Sequence, residues 1–309
     1  MASPPKASYR LSNLHVNLFR NVYLISTDGS LFFKASSMQE LRIYRQLAMA
    51  HSQLLSFVPS LVGIYKCKED ALDLIMDLSG DLCSVDFGVL ESLLATATKC
   101  RTFNCHEPIF TALKNLHNSN DTQSKIYFMD LKLGFITFPL GAQQSKIQSQ
   151  EAKARDTTTS THGVRLMGAV LPVKSRTSTT ESVLLTKTEG RACSYDDILA
   201  HLCTLFPDRR SLGQLVARLQ ALSASLLGEC LHMCGPSLLI SSTHQGQIDN
   251  HASHNALPSV FLVDFAHTYT RDQAVALCTD RHILSTTAST TIAACIENLS
   301  HNLQAYHAF

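Results

Sequence analysis

The stretch that decides the fold is KIYFMDLKLGFITF, Lys125 to Phe138. Its apolar run ends on Asp130, and Lys132 and Gly134 follow at alternate positions. In an extended chain successive side chains point to opposite faces. Asp130 and Lys132 then share one face, while Met129, Leu131 and Leu133 pack behind it. A lysine so placed holds a phosphate as a point charge, and the carboxylate beside it orients that phosphate or receives a proton. Gly134 permits a bend or a close approach to the backbone. An ordinary ion pair on a half-buried strand gives the same pattern, so the stretch gains meaning only from its neighbours.

Upstream, VYLISTDGSLFFKA (Val22–Ala35) predicts a hairpin turning at Asp28-Gly29. SMQELRIYRQLAMA predicts a helix, with Ser37 and Glu40 at capping-box spacing. SLVGIYKC and DALDLIMDL supply further strands. Hairpin, helix and strands predict a small α+β lobe over residues 1–82. Residues 83–123 read as a helical insert within a second lobe, 83–309. Lys34 on a hairpin strand and Glu40 on the following helix stand in the order of the ATP-anchoring lysine and its glutamate in kinase-like lobes.

Downstream, SKIQSQEAKAR predicts an exposed basic helix inside a segment spanning 141–160. Lys146 and Lys153 are two turns apart, so both emerge on one face with Gln150 between them. GVRLMGAVLPV reads as a strand, Tyr195–Cys234 as helical with a break at PDRR, PSLLISS and PSVFLVDF as strands, and Thr286–His307 as a closing helix. In FLVDFAHTY an aspartate, Asp264, ends an apolar strand and is followed by Phe-Ala, much as Asp-Phe-Gly carries magnesium in kinases. His267 lies three residues on.

Composition narrows the class. A formal charge of +1 favours neither nucleic acid nor a membrane surface, so any attraction for an anion is local. No run approaches the ~18–20 apolar residues of a membrane span, and no stretch reads as a signal peptide. Ten cysteines lie without framework spacing. Cys100, Cys105 and His106 lack a second ligand pair for zinc, and Cys230, His232 and Cys234 fall in the helical pattern. Free thiols point to an intracellular protein, cytoplasmic or nuclear.

Taken in this order, the segments resemble the inositol polyphosphate kinase family. Its hallmark Pro-x-x-x-Asp-x-Lys-x-Gly reads here as IYFMDLKLG. SKIQSQEAKAR resembles the inositol-phosphate-binding helix, THGVRLMGAVL the Gly-(Phe/Val)-Arg strand, and KTEGRACSYDDILAHLCTLF the Lys-x-x-Gly-Arg segment with its helix. GPSLLISS resembles Ser-Ser-Leu-Leu, LVDFAHTY the Asp-Phe-Ala-His segment, and LFFKASSMQELRIY the ATP lysine and its helix. The likeness spans about residues 12–300.

The resemblance implies a two-lobed, protein-kinase-related α+β fold with an ATP cleft between the lobes and an added inositol-phosphate-binding helical segment. It implies ATP and Mg as cofactors and an inositol polyphosphate as acceptor. Asp130 and Lys132 would sit at the transfer point, with Lys132 also touching substrate. Lys34, Glu40 and Asp264 would serve ATP, with Ile75 to Asp77 as the adenine hinge. Asp264 would hold the metal, helped by Ser237, and Lys146, Gln150, Lys153 and His267 would contact substrate phosphates. Asp-Phe-Ala-His looks more like the hexakisphosphate kinases and multikinases than the trisphosphate 3-kinases. GVRLMG leans towards the first and SKIQSQEAK towards the second. Ile126 replaces the hallmark proline, Met76 the hinge acid and Pro236 the first serine of Ser-Ser-Leu-Leu, and the amino-terminal Gly-Gly-His is reduced to SNLH, ending at His15. These departures leave a degenerate kinase acting as inositol phosphate sensor or scaffold as the alternative. A protein kinase fits less well, because the Gly-rich loop and His-Arg-Asp segment are missing from the sequence.

Overall fold

The structure is a computed structural model. It describes residues 8–10, 14–16, 23–26, 32–35, 37–68, 71–77, 102–106, 125–172, 182–244 and 258–307. The chain divides into two compact units, Met1–Gln123 and Ser124–Phe309. Mixed helix and sheet recur in both.

The first unit holds a seven-stranded antiparallel sheet in the order β1-β6-β5-β7-β4-β3-β2. Its strands are β1 (Ser8–Arg10), β2 (Leu14–Val16), β3 (Tyr23–Ser26), β4 (Phe32–Ala35), β5 (Leu61–Lys68), β6 (Ala71–Asp77) and β7 (Thr102–His106). The hairpin read at Val22–Ala35 is β3 and β4, paired from Tyr23↔Lys34 onward. Helix α1 (Met38–Met49) follows, burying Leu41, Tyr44 and Leu47 at spacings of three, with Ile43 beside them. Each such side chain contributes about 2 kcal/mol on burial. The expected capping box is not formed: Ser37 is the N-cap but makes no side-chain cap bond, and Glu40 is turned into the buried face. Burial, then the charge of Glu40, pushes the Tyr44 phenol well above its ordinary range.

The boundary differs from the one read at residue 82. Thr102–His106 is a strand rather than part of a helical insert, pairing with β4 through Lys34↔Asn104 and with β5 through Ile64↔Asn104. Of the expected insert 83–123, the described residues Thr102–His106 therefore belong to the sheet of the first unit. Two neighbouring strands saturate the hydrogen bonds of this short segment, a non-local outcome that its own five residues do not announce. The remainder of the insert lies outside the described residues.

The second unit is built on a five-stranded antiparallel sheet, β10-β9-β8-β12-β13. β8 is Lys125–Leu133, β9 Val164–Pro172, β10 Ser182–Leu185, β12 Ser237–His244 and β13 Pro258–Val263. A ribbon of β11 (Leu231–Met233) and β14 (Thr268–Thr270) stands beside it. Helices α2 (Gln144–Arg155), α3 (Thr159–His162), α4 (Lys187–Ala192), α5 (Tyr195–Leu205) and α6 (Arg209–Leu227) come next. α7 (Arg271–Leu277), α8 (Arg281–Thr287) and α9 (Ser289–His307) close the chain.

Met129, Leu131 and Leu133 are fully buried on the back of β8, and α5 lies against β8 and β9 there. α6 and α9 pack on each other, tied by Ser223 Oγ donating to the Ala293 carbonyl. Caps set the boundaries. Thr186 with Glu189 and Ser194 with Asp197 form capping boxes that start α4 and α5, and the Asp208 side chain accepts from the Ser211 amide to start α6. The helical reading to Cys234 fails after Gly228, where α6 ends and residues 231–233 pair with β14 instead. Cys230, His232 and Cys234 thus belong to a strand and its flanks. His232 Nδ1 lies 3.2 Å from Thr287 Oγ1. Ala288 splits the closing helix into α8 and α9.

Candidate active site

Backbone register assembles the site. Across β9, β8, β12 and β13 one row reads Arg165, Lys132, Ser237, Val263. Directly paired residues present their side chains to the same face, so Arg165, Lys132 and Ser237 stand together. Asp264 follows Val263 at once, in the left-handed conformation (φ 72, ψ 56) that turns the chain off the sheet into the short helical turn Phe265–His267. Lys132 Nζ donates to Asp264 Oδ2 at 2.9 Å.

Asp130 lies two residues back on the same face of β8. The Ser237 hydroxyl donates to its carboxylate. Its Oδ1 is buried with no hydrogen-bond partner. Desolvation raises its pKa above the ordinary carboxylate value, against the lowering effects of Lys132 and the Ser237 bond. Asp130 and the Ser237 hydroxyl on neighbouring strands and Asp264 in the turn after β13 are hard oxygen donors, and with Asp130 Oδ1 left partnerless their chemistry suits a magnesium-like cation.

Gly134 and Gly235 shape the lysine. Gly134 ends β8 with φ 86, its amide donating to the Gly163 carbonyl at 2.7 Å. The space beside it is filled by the Ile292 side chain, since a Cβ there would lie 2.8 Å from Cδ1. Gly134 thus bends the strand into the core. The space beside Lys132 comes from Gly235, where a Cβ would meet Lys132 Cε at 2.9 Å.

Arg165, Lys187 and Arg191 join this site without having been singled out in the sequence. Arg165 is 4% exposed, yet its Nε and Nη1 are buried without hydrogen-bond partners. The same holds for Arg191 Nε. Burial, then the charge of Arg191, lowers the Arg165 pKa. Lys187 opens α4. Its pKa is lowered by burial and then by Arg191, Arg165 and Lys132, while Asp130 opposes with the smallest effect. A buried guanidinium without a counter-charge is costly, and an anion is the natural complement. The Lys-Thr-Glu-Gly-Arg and Gly-Val-Arg stretches were the available signals, but only the pairing Lys132↔Arg165 brings them to the lysine.

Of the other expected residues, Lys146 is exposed on α2, while Gln150 and Lys153 are half-buried. The helix buries none of its residues fully. Thr137 Oγ1 donates to Gln150 Oε1 at 3.4 Å, which ties α2 to the loop against which Gly235 packs. His267 is half-buried in the turn after Asp264, and its carbonyl accepts from the Cys234 amide. In the first unit, Lys34 is placed by its backbone on β4, and Ile75 and Asp77 on β6; the side chains of these three lie outside the described set. Lys34, Asn104, Ile64 and Met76 share one transverse row. β6 is therefore three strand spacings from β4, roughly 14 Å.

A model of the family described as inositol polyphosphate kinase matches residues 112–298. Among solved structures, the chain is similar to the inositol phosphate multikinase Ipk2 of S. cerevisiae, determined in complex with ADP and Mn2+. Identity is 14%, the match covers 89% of this chain and 100% of that one, and the TM-score is 0.55. Another inositol phosphate multikinase structure matches with 20% identity over 57% of this chain and 80% of its own, at a TM-score of 0.41. No curated protein sequence matches the chain.

Proposed function

Because the chain belongs to the inositol polyphosphate kinase family, we propose that it transfers the γ-phosphoryl group of ATP, with magnesium, to a highly phosphorylated inositol, as a hexakisphosphate kinase or multikinase. The observation that carries this reading is the row Arg165, Lys132, Ser237 with Asp264 at its end and Asp130 beside it. Phosphoryl transfer needs mainly positioning and charge neutralisation, and this row supplies cations and carboxylates on one rigid sheet face.

In this reading Lys132 neutralises charge on the transferred phosphoryl group. Asp130, held by the Ser237 hydroxyl, orients the acceptor or takes its proton. Asp264, helped by Ser237, supplies the oxygen donors for the metal, whose bound charge would offset that of the ATP phosphates. Lys34, Glu40, Ile75 and Asp77 are assigned to the nucleotide. Arg165 and Lys187, with Lys146, Gln150, Lys153 and His267, are assigned to phosphates that the acceptor already carries. We place the activity inside the cell, in cytoplasm, nucleus or both.

The test is an assay with ATP and magnesium across inositol phosphates from trisphosphate to hexakisphosphate, with separated products. A product one phosphate heavier supports the proposal and names the acceptor. A pyrophosphate from the hexakisphosphate assigns that branch, and conversion of lower species the multikinase branch. Binding without any product from the folded protein favours the sensor or scaffold reading.

A further inference from the structure

The Lys187-x-x-Gly190-Arg191 stretch contains one residue that the kinase reading leaves without a task. Arg191 lies four residues after Lys187 on α4, so the two share a helix face. Gly190 sets how close that helix comes to the sheet: a Cβ there would lie 2.9 Å from the Leu166 carbonyl oxygen. Leu166 adjoins Arg165 on β9, so the missing side chain is what lets α4 press against the strand that carries the buried guanidinium. Arg191 has a buried Nε without a hydrogen-bond partner, and among the described residues neither it nor Arg165 forms an ion pair.

We propose that Arg191 is a positioning residue: pressed against β9 by Gly190, it holds Arg165 and Lys187 in a cationic cluster whose two guanidinium groups have no ion-pair partner among the described residues, and which a phosphate group of the acceptor completes. The proposal rests on the kinase reading for the identity of the acceptor, and on geometry for the cluster itself. Arg165, Lys187 and Arg191 repel one another in the free protein, and Asp130 offsets this only at Lys187, with the smallest effect there. A phosphate supplies the acceptors that Arg165 lacks, two of its oxygens matching the planar donor fork of the guanidinium. Arg191 therefore trades stability of the empty protein for affinity towards phosphate.

The experiment compares wild type, Arg191→Gln and Arg191→Lys in the full chain. Thermal unfolding is measured with and without inorganic phosphate, and KM and kcat with the accepted inositol phosphate. Wild type and Arg191→Lys should gain stability from phosphate. Arg191→Gln should lose most of that gain while being at least as stable as wild type without phosphate. Its KM should rise about tenfold, as the charged contact of Arg165 with the phosphate is weakened, and by more than kcat falls. Absence of a phosphate gain in wild type overturns the proposal. So does an Arg191→Gln protein that is less stable yet keeps the wild-type phosphate gain and KM, the signature of mere packing. If no inositol phosphate is turned over while the phosphate gain still depends on residue 191, the cluster stands and the kinase reading falls.

Discussion

Lys132 Nζ lies 2.9 Å from Asp264 Oδ2, joining the end of β8 to the turn after β13 across the intervening strand. The lysine assigned to the transferred phosphoryl group is thus held by the carboxylate assigned to the metal. With side chains 16% and 37% exposed, the pair is partly screened and contributes at most about 1 kcal/mol. Its worth is positional. Lys132→Ala should therefore keep the fold, with a small shift in melting temperature, while turnover falls by at least about a hundredfold, as when a charge-stabilising donor is removed. Turnover at the wild-type rate would remove Lys132 from the assigned role.

Gly235 controls the same lysine from the other side. It has φ 62, and an added Cβ would meet Lys132 Cε at 2.9 Å and Thr137 Cα at 3.2 Å. Gly235→Ala adds left-handed strain of about 1 kcal/mol and pushes on the lysine stem and a backbone that gives way less easily. The expected result is a kcat loss larger than the stability loss, read by steady-state kinetics beside thermal unfolding. Equal kcat in variant and wild type would mean that Lys132 reaches its partner from more than one position.

The sequence made the strand of the hallmark legible because alternation is local: Asp130 and Lys132 on one face and three buried apolar residues behind follow from period two alone. The cluster around Arg165 was not legible, since the register Lys132↔Arg165 joins residues separated by a helical segment. β7 was missed for the same reason: five residues of mixed character become a strand only between β4 and β5. Gly134 was read as permitting a bend or a close approach to the backbone, and the group that approaches is Ile292, a contact that no local pattern announces.

Stability of the second unit should depend on pH through Asp208, the N-cap of α6. Its carboxylate accepts from the Ser211 amide at 2.8 Å and from the Ser211 hydroxyl. Burial raises its pKa, but these bonds and a backbone bond from Arg210 outweigh that, so the net pKa lies below the ordinary 3.8. A depressed carboxylate contributes stability above its unfolded pKa and loses it as pH falls through the folded one. Asp208→Ala should cost about 1 kcal/mol at pH 7. The gap between variant and wild type should close as pH drops below 3.8, in urea unfolding followed across that range. A gap constant with pH would assign the effect to packing.

The basic helix α2 offers the sharpest separation of binding from chemistry. Its twelve residues include none fully buried, so substitutions on it leave the core untouched and stay within about 0.5 kcal/mol in stability. Lys146 and Lys153 lie two turns apart on one face and are assigned to acceptor phosphates rather than to the transferred phosphoryl group. Removing contacts made equally in ground and transition states raises KM and leaves kcat alone. Lys146→Ala with Lys153→Ala should therefore raise the KM for the inositol phosphate by about tenfold or more, with kcat and the KM for ATP close to wild type. Because these lysines meet solvent, the wild-type advantage should also shrink as salt shortens the screening length from about 8 Å towards 3 Å at 1 M. Kinetics at low and high salt would read both effects. A double variant that loses kcat while keeping its KM would place α2 in the transfer step itself, and one unchanged in both would return the helix to the role of a solvated surface element.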